Sequence, residues 1–221
     1  VTRIKICGLT QIEPALVAGQ AGADFLGLVF VPSRRQVTPE KGRALVQAVR
    51  GLATRPQVVG VFVNRSAEEV NRIADHCSLD WVQLSGHESW AYCQEVKKPI
   101  IKVIHVSPST TVEEVLSNIE TGYRMLAKKE FVCLLDAEVG GAYGGTGQAF
   151  DWELARAVSA RFPVMVAGGL NPTNVGQLLM AVKPWGVDVS SGVETDGRKD
   201  PAKIKAFIEA VRKAEADVLG D

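Results

Sequence analysis

The feature that most constrains this chain is an alternation that recurs eight times: a short apolar run, a turn, then an amphipathic helical stretch. The apolar runs are Ile4–Cys7, Phe25–Val29, Val58–Val63, Trp81–Leu84, Ile100–Ile104, Phe131–Leu135, Val164–Val166 and Val187–Val189. Several are apolar at consecutive positions, as parallel strands covered on both faces must be. Helix signals stand between them. Thr38-Pro39-Glu40 supplies an N-cap, a proline at the first helical position and an acidic first turn. Ser66-Ala67-Glu68-Glu69 has the spacing of a capping box, and Asn171-Pro172 repeats the cap-plus-proline device. Ala44, Leu45, Ala48 and Val49 give the spacing of a buried helical stripe. The last helix is expected from about Pro201 to Val218.

Eight strand–helix units in 221 residues imply an α/β fold, a (β/α)8 or TIM barrel, formed by residues 1–221 as a single domain. The rival is a doubly wound open sheet. It calls for a glycine fingerprint after the first strand, where this chain has Cys7-Gly8-Leu9-Thr10. A formal net charge of +0, with basic residues gathered no more tightly than pairs such as Arg34–Arg35, argues against a nucleic-acid partner. An unbroken apolar run of about 18 residues is lacking, so no membrane span is expected. Cys7, Cys77, Cys93 and Cys133 fit neither zinc-ribbon nor disulfide-scaffold spacing, which suggests reduced thiols and a cytoplasmic protein.

In such a barrel the active site lies at the C-terminal strand ends. Those positions hold Cys7-Gly8, Pro32–Gln36, Asn64, Gln83-Leu84-Ser85-Gly86, Asp136, Gly168-Gly169 and Ser190-Ser191-Gly192. Ala167-Gly168-Gly169-Leu170-Asn171 lets backbone N–H groups approach an anion, and Ser190-Ser191-Gly192 adds amides and hydroxyls beside it. Barrel enzymes often bind phosphate at these last two loops, although paired glycines also serve tight turns. Cys7 ends strand one at the barrel mouth, with Lys5 on the same side of the strand. A nearby ammonium is expected to lower the thiol pKa, whereas the other three cysteines read as small core residues. Asp136 closes an apolar run and is either an ion-pair partner or a functional acid. Arg35 is either a solvated surface arginine or the fork for a substrate carboxylate. Gln83 and Asp188 face the same mouth and count as candidate substrate contacts, with Asp188 also the expected ion-pair partner of Lys5. Lys5 and Lys102 are taken as inward-facing, which is weak ground for a Schiff base. His76, His87 and His105 show no metal-ligand spacing, so neither metal nor cofactor is expected.

At these residues the chain resembles the phosphoribosylanthranilate isomerase family. The resemblance rests on Lys5-Ile-Cys-Gly-Leu-Thr10, Gly22-Ala-Asp24 with Gly27-Leu-Val-Phe30, and Ser33-Arg-Arg-Gln-Val-Thr-Pro39. It continues through Val59-Gly-Val-Phe-Val-Asn64, Val82-Gln-Leu84 with Gly86, and Leu134-Leu-Asp136. Tyr143-Gly-Gly-Thr-Gly147 with Phe150-Asp-Trp152, Gly168-Gly-Leu-Asn-Pro172 and Val187-Asp-Val-Ser-Ser-Gly-Val-Glu194 complete it. The resemblance implies an isomerase of tryptophan biosynthesis that carries out an Amadori rearrangement, with Cys7 as general base and Asp136 as general acid. It implies that Arg35 meets the anthranilate carboxylate. The phosphate is implied to lie on Gly168, Gly169, Ser191 and Gly192, helped by Gly144, Gly145 and Gly147. The family usually carries histidine where this chain has Ser85, and His87 is the expected stand-in. The chain is read as a monomer acting on a small phosphorylated substrate, with fusion to or association with other enzymes of that pathway left open. The rivals are a histidine-pathway sugar isomerase, which calls for an aspartate at the Cys7 position, and a non-catalytic phosphosugar-binding barrel.

Overall fold

The structure, a computed structural model, describes residues 1–139, 142–143 and 152–219. Eight parallel strands close on themselves: β1 (Arg3–Cys7), β2 (Phe25–Val29), β3 (Gln57–Phe62), β4 (Trp81–Leu84), β5 (Ile100–Val106), β6 (Phe131–Val139), β8 (Val164–Val166) and β9 (Gly186–Val189). The order runs β5-β4-β3-β2-β1-β9-β8-β6, and β5 pairs with β6 to seal the barrel. Helices α1 (Ile12–Gln20), α2 (Pro39–Arg50), α3 (Ala67–Cys77), α4 (Trp90–Glu95), α5 (Val112–Met125), α6 (Trp152–Ser159), α7 (Val175–Val182) and α8 (Pro201–Leu219) each follow a barrel strand.

Strand periodicity sorts the residues into two cores. Ile4, Ile6, Leu26, Leu28, Val82 and Leu84 point outward and pack under the helices. Phe25, Val59, Trp81, Ile101, Val103, Val132, Leu134, Met165 and Ala167 fill the barrel interior. Lys102 lies between Ile101 and Val103, so it faces the helix layer instead of the interior. There it donates to the Val103 carbonyl at 3.0 Å and lies 3.9 Å from Glu88, which removes it as an active-site amine.

Thr38 and Ser66 cap α2 and α3 through the N–H groups of Lys41 and Glu69, both at 3.3 Å. The expected capping box at Ser66 does not close, because Glu69 pairs with Arg65. A full box occurs at Thr111 and Glu114. Asn171 is not the cap of α7. Its Oδ1 accepts from the Thr173 N–H at 2.8 Å, building a turn ahead of a helix that starts at Val175. Two features go beyond the alternation. Strand β6 runs on to Val139 and pairs antiparallel with β7 (Ala142–Tyr143). Past β9, a short 3-10 turn (Ser191–Val193) leads to a hairpin of β10 (Glu194–Thr195) and β11 (Arg198–Lys199).

Candidate active site

The inward positions one step above the interior core converge at the strand C-termini on a cavity of about 200 Å³. Cys7, Asp136, Arg35, Gln83, Gly168, Gly169, Asp188, Ser190 and Ser191 line it, so most of the sequence candidates meet in one place. Gly192 is not among the lining residues, although it packs against Leu170, which is. Gly144, Gly145 and Gly147 fall outside the described residues.

Cys7 sits on a charged floor. Lys5 is wholly buried, and its ammonium donates to Asp188 Oδ1 at 3.0 Å, the pairing expected from sequence. Burial works against the Lys5 cation, but Asp188 and then Cys7 outweigh it and hold its pKa above the ordinary lysine value. For Cys7 the balance goes the other way. Burial raises the thiol pKa, Lys5 lowers it, Asp188 raises it, and the net direction is up. The expected lowering by Lys5 is present, but the depth of the site overrides it. Gly27 on β2 makes room for the thiol: a Cβ there would lie 2.9 Å from Cys7 Sγ and 3.2 Å from Lys5 Nζ.

Asp136 comes from β6, where it continues the inward row Val132, Leu134. Its register partner on β5 is His105. His105 also lines the cavity, with Nε2 3.1 Å from the Ser85 carbonyl oxygen. Sequence reasoning missed this residue, although the row Ile101, Val103, His105 carries the inward parity. The imidazole at the cavity wall is therefore His105 rather than His87, which is not among the lining residues. The His87 backbone N–H donates to Asn64 Oδ1, and its ring stands 6.3 Å from that of His105.

Gln83 is nearly fully buried, and its Nε2 donates to Ser85 Oγ at 3.0 Å. Its Oε1 is buried and has no hydrogen-bond partner among the described residues. A buried acceptor left unmatched costs about 1–3 kcal/mol, so this oxygen is suited to a ligand donor. Val29, Val31, Val61 and Val63 form an apolar wall beside it.

The loops after β8 and β9 also line the cavity, through Gly168, Gly169, Ser190 and Ser191. Gly168 and Gly169 follow β8 with φ of 94° and 66°, a backbone that side chains resist. Gly192 packs so tightly against the neighbouring loop that a Cβ would lie 1.8 Å from the Leu170 carbonyl oxygen. Asn174 Nδ2 donates to the Gly169 carbonyl at 3.0 Å, and Lys199 Nζ donates to the Ser190 carbonyl at 2.7 Å. Arg35 is not a solvated surface arginine. Its Nε and Nη2 donate to Glu194 at 2.7 and 3.0 Å, leaving the end-on edge of the guanidinium for a second carboxylate. Among the described residues no group of three or more His, Cys, Asp or Glu is arranged to hold a metal ion.

A (β/α)8 barrel with a thiol and a carboxyl over one cavity, beside glycine-bearing loops at its last two strands, has the architecture of barrel enzymes that act on phosphorylated small molecules. The chain belongs to the N-(5′-phosphoribosyl)anthranilate (PRA) isomerase family, whose family model matches residues 4–210. An N-(5′-phosphoribosyl)anthranilate isomerase of Dehalococcoides mccartyi is 53% identical over 215 residues, covering 97% of this chain and 98% of the relative. The enzyme of the same name from Desulforudis audaxviator is 44% identical over 217 residues, 96% of this chain and 99% of its own length. The crystal structure of phosphoribosyl anthranilate isomerase from Thermotoga maritima superposes with a TM-score of 0.81 at 36% identity, covering 96% of this chain and all of that one. A phosphoribosyl anthranilate isomerase in complex with reduced 1-(o-carboxyphenylamino)-1-deoxyribulose 5-phosphate superposes at 0.78 with 35% identity, with 96% and 100% covered.

Proposed function

We propose that this chain converts N-(5′-phosphoribosyl)anthranilate to 1-(2-carboxyphenylamino)-1-deoxyribulose 5-phosphate, an Amadori rearrangement of tryptophan biosynthesis. The observation that carries the reading is the meeting of Cys7, Asp136 and the glycine-bearing loops at one cavity inside a chain of this family. Phosphate rests on the N–H groups around Gly168, Gly169, Ser191 and Gly192, and the ring carboxylate takes the end-on edge of Arg35. The aromatic ring lies against the valine wall, and Gln83 Oε1 accepts from a substrate N–H or hydroxyl.

Protonated Asp136 gives its proton to the ribose ring oxygen as the C1′–O bond breaks, leaving an iminium at C1′. The Cys7 thiolate takes the C2′ proton, and the released electron pair forms the enolamine. The Cys7 thiol then returns its proton to C1′ while the Asp136 carboxylate takes the one from the C2′ hydroxyl, so both groups finish as they began. Lys5 is the fixed cation facing the thiolate, and Asp188 holds it in place. The steps move protons only and need no electron acceptor. General acid and general base each contribute on the order of 10²–10⁴-fold.

Substrate carrying deuterium at C2′ tests the assignment in single turnover. Removal of that proton by Cys7 predicts a slower reaction than with unlabelled substrate. Equal rates under conditions where chemistry limits would exclude the step. The described residues include no helix long and apolar enough to cross a membrane, and all four cysteines are free, which supports a cytoplasmic setting for the reaction.

A further inference from the structure

Glu194 lies outside the cavity, at the start of the β10–β11 hairpin, yet its side chain is only 5% exposed. Its carboxylate gathers three cations. Arg35 donates from Nε at 2.7 Å and Nη2 at 3.0 Å, Arg34 from Nη2 at 2.8 Å, and Lys199 from Nζ at 2.7 Å. Burial opposes the charged form, but Arg35 and Lys199 outweigh it and hold this carboxyl below the ordinary range. Glu194 is thus an anion shared by buried Lys199, half-buried Arg35 and exposed Arg34.

Lys199 and Arg35 meet on one carboxylate oxygen but belong to different parts of the mouth. Arg35 arrives on the loop after β2, its stem pressed so closely on Gly8 that a Cβ there would lie 2.5 Å from Arg35 Cδ. Lys199 is register-paired with Glu194 across the hairpin. Its ammonium also reaches the Ser190 carbonyl at 2.7 Å and Ser190 Oγ at 3.4 Å, inside the last phosphate loop. Ser190 Oγ in turn donates to the Cys7 carbonyl at 3.2 Å. One carboxylate therefore ties the loop after β2 to the loop after β9.

We infer that Glu194 is a positioning residue that sets the separation between the guanidinium and the phosphate loop, and so selects a substrate by the span between its carboxylate and its phosphate. The inference rests on the roles proposed above for Arg35 and the glycine-bearing loops. A two-ended ligand gains from having both sites held at the right spacing, whereas a one-ended ligand does not. Loss of the ruler consequently weakens the substrate without weakening its separate ends. An effect of charge alone has the opposite sign, because neutralising Glu194 leaves the region more positive and favours anions.

The test compares wild type with Glu194→Gln, Glu194→Asp and Arg35→Ala, reading KM and kcat for phosphoribosylanthranilate. Inhibition constants for inorganic phosphate and for anthranilate are read alongside, each ligand probing one end. Glu194→Asp keeps the charge but shortens the arm, and it serves if Glu194→Gln fails to fold. The expected result for either Glu194 variant is a KM raised about tenfold or more, with kcat and both inhibition constants within about threefold of wild type. An unchanged or lowered KM overturns the inference. So does a rise matched in full by one inhibition constant, since Glu194 would then act on that end alone. If Arg35→Ala leaves anthranilate inhibition unchanged, the carboxylate role of Arg35 fails and the inference falls with it. An effect in Arg35→Ala with none in the Glu194 variants overturns the inference alone.

Discussion

Replacing Gly27 with alanine probes the placement of the Cys7 thiol without touching its chemistry. The new Cβ would stand 2.9 Å from Cys7 Sγ, 3.0 Å from Cys7 Cα and 3.2 Å from Lys5 Nζ. Unstrained carbon atoms stay about 3.5–4.0 Å apart, so the thiol must retreat by roughly 0.6–1.1 Å, or turn to another rotamer. The α-carbon of Cys7 cannot swing aside as a side chain can, so β1 and β2 must also part slightly, within a ladder that pairs Cys7 with Gly27. Overpacking of this kind costs about 1–3 kcal/mol, which in a chain of this size lowers Tm by about 2–12 °C. A reacting group displaced by about 1 Å loses on the order of 10² in rate. The variant should therefore fold, bind substrate with a KM close to wild type, and lose about 10–100-fold in kcat. Loss of substrate fluorescence gives the kinetics, and a circular dichroism melt gives Tm. A Gly27→Ala protein with wild-type kcat would refute the claim that the thiol is the base held at that point.

Three further outcomes follow from the same geometry. Asp188→Asn strands the fully buried Lys5 ammonium and should cost about 3–5 kcal/mol, whereas Lys5→Met leaves a carboxylate that lines the cavity and is 10% exposed, against 0% for Lys5. Thermal melts should rank Lys5→Met as the more stable variant, and the reverse order would contradict the burial argument. Turnover needs the Cys7 thiolate and protonated Asp136 together, so kcat/KM should follow a bell-shaped pH profile whose Cys7 limb lies above the ordinary thiol 9.0, because the folded pKa is raised. A bell with both limbs well below that value would show that burial does not dominate. His105→Ala should raise KM about tenfold with a stability loss below about 1 kcal/mol, because this half-buried ring lines the cavity. An unchanged KM would remove His105 from the substrate contacts.

All eight barrel strands stand in the sequence as apolar runs, because strands covered on both faces need apolar residues at nearly every position. The strand ends were harder to read, and one of them mattered. Ending strand five at Ile104 treats His105 as the polar residue that closes a run, when β5 continues to Val106 and turns that imidazole inward. Cys7 and the two glycine loops are readable because they stand at strand ends at the mouth, and Asp136 because it closes the apolar run within β6. The direction of the Cys7 pKa was not readable, since the neighbour Lys5 is visible two residues away but the depth of the site is not. Arg35 shows its type and position, yet its partner Glu194 is 159 residues distant. The hairpin bearing Glu194 did leave a trace. Asp196-Gly197 is a hairpin-turn dipeptide, and both residues adopt positive φ, 51° and 74°.

The measurement that bears most directly on the account is turnover of freshly generated phosphoribosylanthranilate by wild type, Cys7→Ala and Asp136→Asn, side by side and with metal chelated. The account predicts turnover by wild type and a fall on the order of 10²–10⁴-fold in each variant, with melts showing all three folded. A Cys7→Ala or Asp136→Asn protein that keeps wild-type turnover would contradict the acid–base pair at the centre of the account.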